Sequence, residues 1–315
     1  MNTRNIVIGI DTSNYTTSVA LMYDDGELIA NIKRPLPVKP GERGLRQSDA
    51  VFAHIKNLPS AMQEAREYLK GRTPVAVGVS TRPRNIDGSY MPCFLVGVSV
   101  AEAIGATGAI PVYKFSHQCG HIMAALYSSG KFEYLDGREF CAFHVSGGTT
   151  EVLRVKASDT GFSAELVGGT MDLNAGQIID RVGVHMGMPF PSGVHIEKAA
   201  LENTVKIPKR KPKVTELSVN LSGLENMAVK LFDETRDTSL VSAFVLDHIG
   251  EALSLLADAY KEKYGEQPFV FSGGVMSNSI IKEKLSARFD AAFAVPAMSA
   301  DNAVGIAYLT LRALK

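Results

Sequence analysis

The sequence predicts an α/β protein of two lobes, each built on a mixed sheet, with a ligand cleft between them. Three observations carry that expectation. Short apolar, β-rich runs alternate with helix-period stretches through both halves of the chain. Each half follows one plan: a strand, a polar turn, hairpin strands, then helices. The turns Asp11-Thr12-Ser13, Ser146-Gly147-Gly148 and Ser272-Gly273-Gly274 each fall where an apolar strand ends, which is where α/β folds hold ligands.

Residues 6–10 (IVIGI) and 17–23 (TSVALMY) read as the first two strands. Asp24-Asp25-Gly26 turns the chain into a third at 28–30, because Asp and Gly accept the positive φ of a tight hairpin. A loop rich in Pro, Lys and Gly follows over 34–44, then a helix over 48–70 that stops at Gly71. A strand over 74–79 and a helix rich in small residues over 94–105 complete the first half. In the second half, 140–145 is a strand ending at the Ser146-Gly147-Gly148 turn, with further strands over 149–155 and 164–167. Helices are expected over 172–186 and 238–264, a buried strand over 268–271 and a closing helix over 302–314. The expected first lobe is 1–108, with the closing residues 299–315 returning to it, and the second is 109–298.

Composition narrows the function classes. Hydrophobic residues make up 45% and charged residues 21%, ordinary for a globular chain. Lys+Arg and Asp+Glu balance at 33 each, so no global field draws the chain to nucleic acid or anionic lipid. An RNA contact has to come from a local patch, and neither DNA nor a membrane is an expected partner. No run reaches the roughly 18 uninterrupted apolar residues of a spanning helix. The opening MNTRNIVIGIDTS runs straight into a strand, without the regions of a signal peptide. Cys93, Cys119 and Cys141 are odd in number and lack zinc-ribbon spacing; they read as reduced, buried thiols, and the cytoplasm is the expected location.

Paired glycines let a backbone approach a phosphate closely, and their N–H groups can converge on an anion. One such turn is ordinary; two of them with an acidic turn at matched strand ends point to a nucleotide held near Ser146, Gly147, Gly148 and Thr149 and near Gly273 and Gly274. Asp11 and Thr12 stand at the acidic turn, where a carboxylate can hold a cation or its water shell. No Gly-x-Gly-x-x-Gly or Walker pattern follows the first strand. His117 and His121 in Ser116-His117-Gln118-Cys119-Gly120-His121 are four apart, so one helical face carries both imidazoles within reach of one metal ion. Asp301, just before the closing helix, suits either a third ligand or a helix cap. Lys206, Lys209, Arg210, Lys211 and Lys213 crowd five cations into eight residues without aromatics, a solvated loop or a phosphate-contacting strip.

In this order the motifs resemble those of the tRNA threonylcarbamoyl-transferase family, also called O-sialoglycoprotein endopeptidases, in the actin-like (ASKHA) ATPase superfamily. Asp11-Thr12-Ser13 is similar to its opening acidic-Thr-Ser turn, His117 and His121 to its His-x-x-x-His, and Val145-Ser146-Gly147-Gly148 to its Val-Ser-Gly-Gly. Asp172, Ala175-Gly176 and Asp180 fall on its Asp-x-Ala-Ala-Gly-x-x-x-Asp, Ser222-Gly223-Leu224 on its Ser-Gly-Leu, Gly273-Gly274-Val275 with Asn278 on its Gly-Gly-Val-x-x-Asn, and Asp301-Asn302 on its Thr-Asp-Asn. The resemblance implies a two-lobed actin-like fold and one divalent metal, iron or zinc, on His117, His121 and Asp301. It implies ATP or threonylcarbamoyl-adenylate as ligand, with magnesium a further candidate, on Asp11, Thr12, Ser146, Gly147, Gly148, Thr149, Asp172, Gly176, Asp180, Gly273, Gly274 and Asn278. The implied reaction forms N(6)-threonylcarbamoyladenosine in tRNA, with protein partners of the threonylcarbamoylation machinery.

The departures define a diverged paralogue. Asn14-Tyr15-Thr16-Thr17 stand where the family has Cys-Asp-Glu-Thr, so two carboxylates are missing. Residues 81–88 (TRPRNIDG) replace a Gly-Pro-Gly-Leu stretch, Thr149 replaces a His, and Gln177 replaces an acidic residue. No general base is legible. Two other readings stay open: carbamoyl transfer to another acceptor, and a non-catalytic nucleotide-binding partner protein. Peptidase chemistry is not supported, since His-x-x-x-His lacks the Glu that follows the first His in zinc proteases.

Overall fold

A computed structural model describes residues 4–13, 15–37, 45–136, 139–158, 161–301 and 303–315. Asn14, residues 38–44 of the expected Pro/Lys/Gly loop, and Asn302 of the expected closing helix lie outside the described residues. In chain order the elements are β1 (Ile6–Ser13), β2 (Thr16–Tyr23), β3 (Leu28–Pro35), α1 (Gln47–Leu69), β4 (Ala76–Arg82), α2 (Phe94–Gly108), β5 (Val112–Ser116) and α3 (His117–Ser129). They continue with β6 (Glu139–Val145), β7 (Thr150–Ser158), β8 (Gly161–Thr170), α4 (Ala175–His185), α5 (Gly193–Leu201), β9 (Val214–Thr215), β10 (Ser218–Val219), α6 (Ser222–Thr235) and α7 (Thr238–Tyr264). Then come β11 (Phe269–Ser272), α8 (Ser279–Ser286), β12 (Ala291–Phe293), the short α9 (Pro296–Ser299) and α10 (Val304–Leu314).

The chain divides into two compact units. One is Met1–Arg138 with Lys156–Glu165 and Ala297–Lys315; the other is Glu139–Val155 with Leu166–Pro296. Residues 109–138, expected with the second lobe, group with the first unit. The cause is pairing: β5 lies parallel to β4, and α3 packs against α10 through Gly120 and Gly305.

The first unit holds a five-stranded sheet in the order β3-β2-β1-β4-β5. It is mixed: β2 runs antiparallel to β1 and to β3, while β4 runs parallel to β1 and to β5. All of β1 is buried, because both faces of the central strand are covered. Alternation assigns the faces. Ile6, Ile8 and Ile10 pack in one cluster with Leu58 and Ala61 of α1 and Ala101 of α2. Val7 packs in another with Val304, Ala307 and Leu311 of α10. Asp11 follows Val7 and Gly9 on the α10 face.

Gly9 and Gly78 are register partners on β1 and β4, and α10 rests on that bare backbone. A Cβ on Gly9 would lie 2.6 Å from the carbonyl oxygen of Ala303, and one on Gly78 1.7 Å from Oγ1 of Thr310. Glycine inside a strand is commonly the sign of such a close approach.

In the second unit the sheet order is β12-β11-β6-β7-β8-β10-β9, with β11 parallel to both β6 and β12. Its core gathers Phe143, Phe269 and Phe271 with the buried length of α7. By length and composition α7 could cross a membrane, but 83% of its apolar window is buried. The core position explains the apolarity.

Candidate metal and nucleotide sites

The first unit brings His117, His121 and Asp301 together. Ser116 caps α3, its Oγ accepting from the N–H of Cys119 at 3.2 Å, so the helix opens with His117 and the two imidazoles follow each other up one face. Asp301 arrives from the far end of the sequence because α10 is set against α3 backbone to backbone. A Cβ on Gly305 would lie 1.9 Å from the carbonyl oxygen of Gly120. His117 Nε2 and His121 Nε2 are 3.0 Å apart, and Asp301 Oδ1 lies 3.5 Å from the first and 3.4 Å from the second.

Ligand atoms about 2.0–2.2 Å from one ion, at tetrahedral or octahedral angles, are roughly 2.9–3.5 Å from each other. The observed triangle matches, and the donor set of two imidazoles and one carboxylate suits a borderline divalent metal. The three residues offer ligand atoms that all lie within 4.8 Å of one another. Among the described residues this group could hold a metal ion.

Asp11 stands behind the triad. His117 Nδ1 donates to Asp11 Oδ1 at 3.1 Å, and Ser80 Oγ of β4 donates to the same oxygen. A carboxylate on the far nitrogen fixes the tautomer and leaves Nε2 as the free donor, the usual arrangement behind a metal-ligating histidine. Asp11 Oδ2 is buried and has no hydrogen-bond partner among the described residues. Burial alone disfavours the His117 imidazolium, but the charges of Asp11 and Asp301 outweigh it and hold the ring above the ordinary imidazole value. His121, desolvated and facing a charged His117, is held below it. Asp301, although partly buried, is pulled well below the carboxylate range by its bonds to both rings.

Other residues expected near ligand have local structural tasks. Thr12 is buried; its Oγ1 donates to Cys93 O at 3.0 Å and accepts from Gly97 N at 3.1 Å, tying β1 to the start of α2. Thr16, in the place of a family carboxylate, is buried too, whereas Tyr15 is 41% exposed. Arg82 Nη2 donates to Asn85 Oδ1 at 2.9 Å inside the altered 81–88 loop.

The second unit brings the two glycine turns together. Ser272 is in register with His144, so β11 and β6 end side by side in parallel. Gly273 has φ +97, and a Cβ there would lie 2.4 Å from Val145 O. The Ser146 turn is closed by Ser146 N–H to Thr149 O at 2.8 Å and by the two hydroxyls at 2.8 Å. Gly176, in the first turn of α4, donates its N–H to Ser146 O at 3.2 Å, and a Cβ on it would strike the turn backbone at 2.6 Å. Gly147, Gly148 and Gly274 differ: a Cβ on any of them would meet nothing within 4 Å. Two open glycine turns beside a helix N-terminus make a concavity suited to an anion.

Asp172, Asp180 and Asn278 are engaged in the scaffold of that unit. Asp172 accepts from Leu221 N at 2.8 Å and Ser222 N at 3.1 Å, fastening the start of α6. Asp180 accepts from Ser192 N at 2.7 Å before α5, and burial raises its pKa. Asn278 caps α8 by accepting from Ile281 N at 3.1 Å. Gln177 completes a capping box with Asn174, its Oε1 accepting from Asn174 N at 3.0 Å, a task that an acid would serve equally. Lys206, Lys209, Arg210, Lys211 and Lys213 are all exposed. Their strip borders a groove of about 820 Å³ that Asp258 and Glu262 also line, so its charge is mixed.

Sequence reasoning missed Ser80 and the service of Asp11 to His117. The glycines in the strand runs IVIGI and VAVGV were the available signal for the helix that delivers Asp301.

Comparison with known proteins agrees with this architecture. Of solved structures, HypF in its phosphate- and nucleotide-bound form is similar over 99% of this chain and 47% of its own, with a TM-score of 0.63 and 12% identity. A ROK family glucokinase from Streptomyces griseus is similar over 97% and 99%, with a TM-score of 0.52 and 12% identity. These likenesses show the fold, the actin-like ASKHA fold. Among curated proteins, the tRNA N6-adenosine threonylcarbamoyltransferase of Streptococcus suis (strain 05ZYH33) is 28% identical over 90% of this chain and 83% of its own. That of Methanopyrus kandleri is 25% identical over 96% and 86%, and that of Streptococcus pneumoniae (strain JJA) 29% identical over 97% and 91%. The profile of the family TsaD: tRNA N6-adenosine threonylcarbamoyltransferase matches residues 38–308, and the chain belongs to that family.

Proposed function

We propose that the protein transfers a threonylcarbamoyl group from threonylcarbamoyl-adenylate to the exocyclic amine of an adenosine in tRNA. The observation that carries this is the triad of His117, His121 and Asp301, with ligand atoms within 4.8 Å of one another, in a chain matched by the family profile over 38–308. The amine nitrogen attacks the carbamoyl carbon, the bond from that carbon to the phosphate oxygen breaks, AMP leaves, and the nitrogen loses its proton. His117, His121 and Asp301 would hold the metal, iron or zinc, which when bound supplies a Lewis acid for a donor oxygen. Asp11 and Ser80 keep His117 turned so that Nε2 is the donor atom. Within the second unit, the open turns at Gly147, Gly148 and Gly274 are our candidate for binding a nucleotide phosphate, and orientation with charge stabilisation supplies most of what such an acyl transfer needs. The exposed strip from Lys206 to Lys213 is our candidate for a contact to tRNA phosphates. Incubating the purified protein with threonylcarbamoyl-adenylate and unmodified tRNA should give modified adenosine by mass spectrometry.

A second reading rests on Tyr15 and Thr16, which remove two expected carboxylates. On that reading the protein keeps the metal and nucleotide sites but acts weakly on tRNA when alone, using another acceptor or a protein partner. Thr16 is buried, so restoring an acid there would cost stability and confuse the result. Tyr15→Asp, at the exposed position, should raise tRNA modification; a full rate in the unaltered protein would dispose of this second reading.

A further inference from the structure

Across the sheet of the first unit runs a row of register partners. Lys33 of β3 is paired with Ser18 of β2, and Ser18 with Asp11 of β1; Ser80 of β4 continues the row through its bond to Asp11. Directly paired residues on neighbouring strands share a face, so Lys33 is on the face that carries Asp11 and the metal triad. At about 4.8 Å per strand, its Cα is roughly 10 Å from that of Asp11. Ser18 between them is small, and its Oγ is folded onto Asp11 O at 3.3 Å, leaving the space above the row to the longer side chain.

Lys33 is half-buried, and its ammonium is turned along the sheet. It donates to Ala297 O at 3.2 Å, in the segment that leads to Asp301. Among the described residues it has that carbonyl and no carboxylate within ion-pair distance. Burial lowers its pKa, and the charge of Asp301 opposes that only in part. A partly buried ammonium without a counter-ion is costly, and a lysine whose only task was to cover a strand edge would extend into water. The cost is offset when an anion joins it.

We propose that Lys33 is a ligand-binding residue of this site, taking an anionic oxygen, carboxylate or phosphate, of the molecule held at His117, His121 and Asp301. The inference deepens the function proposed above and rests on the triad being a ligand site. It places the anion at the β3 side of the triad, opposite Ser80. It also gives the site a positive group of its own where Tyr15 and Thr16 have replaced carboxylates, so the two features select the same kind of ligand.

The test compares the full chain with Lys33→Met, which keeps the stem, and Lys33→Arg, which keeps the charge. Calorimetry would measure the binding of inorganic phosphate and of N-carbamoylthreonine, with and without zinc, together with the affinity for zinc itself. We expect Lys33→Met to lose about ten-fold or more in affinity for one of the two anions, Lys33→Arg to stay near the unaltered protein, and zinc affinity to be equal or tighter in Lys33→Met. The anion that responds identifies the group, phosphate or carboxylate. Equal anion affinities in the unaltered protein and Lys33→Met would overturn the inference, as would no binding of either anion. Failure of the unaltered protein to bind zinc would instead count against the metal site, and Lys33 would still be decided by the anion arms without metal.

Discussion

Gly120 and Gly305 touch through their backbones: a side chain on Gly305 would run into the carbonyl of Gly120, and the pair sets how far Asp301 reaches toward His117 and His121. Gly305→Ala should therefore push α10 outward, because the obstacle at 1.9 Å is a carbonyl and cannot rotate aside. Overpacking of this sort costs about 1–3 kcal/mol, visible as a lower Tm. Zinc affinity should fall with it, and an unchanged zinc affinity would show that Asp301 is not delivered by this contact.

The second expectation concerns Asp11. Asp11→Asn keeps the shape but removes the charge that holds the His117 proton on Nδ1. A second partner of this type is worth about 10–100-fold in metal affinity, so the loss should be partial, whereas His117→Ala should abolish tight binding. Competition against a coloured chelator measures both. Equal behaviour of the two variants would mean that Asp11 is itself a ligand.

For the nucleotide the informative glycines are those with space around them. Gly148→Val adds its side chain where nothing lies within 4 Å, so stability should change by no more than about 0.5 kcal/mol while AMP or ATP affinity falls at least ten-fold. Gly273→Val is a poor test of ligand contact. At φ +97, with Val145 O at 2.4 Å from the new Cβ, it would unsettle β11 against β6 whether or not a ligand binds there. Retained nucleotide binding in Gly148→Val would remove that turn from the phosphate site.

Asp172 links acidity to stability. Partial burial opposes its ionisation, but donors from Ser222, Leu221 and Leu173 outweigh this and hold its pKa at about 2, against 3.8 unperturbed. A depressed carboxylate stabilises the fold above its unfolded pKa and loses that contribution as pH falls through the folded one. Asp172→Asn should thus be less stable near neutrality by about 1 kcal/mol, a value discounted for its exposure to solvent. In urea titrations the gap should narrow as pH falls from about 4 toward 2. A gap constant over that range would assign the effect to hydrogen bonding alone.

Much of the architecture is legible in the residues. β1, β2, β6 and β11 are short, apolar and bounded by turn residues, and α7 holds its apolar content over seven turns, so local signals and burial agree. β9, β10 and β12 were not anticipated, being two or three residues long and held by neighbours rather than by pattern. The site divides the same way. His117 and His121 are coupled by helical spacing, which a sequence displays. Asp301 and Asp11 are coupled to them by the seating of α10 and by the twist of a sheet, which it does not. Asp172, Asp180 and Asn278 were grouped with ligand through resemblance, and their bonds hold the starts of α6, α5 and α8.

The seating of α10 on Gly9 and Gly78 also has a meaning for biosynthesis. The strand it covers leaves the ribosome long before the helix does. Until then the sheet presents an uncovered glycine track, and His117 and His121 await their third companion. Before the segment carrying Asp301 has been made, the chain can present only two of these three side chains, so an ion that needs all three would be captured only after that segment emerges.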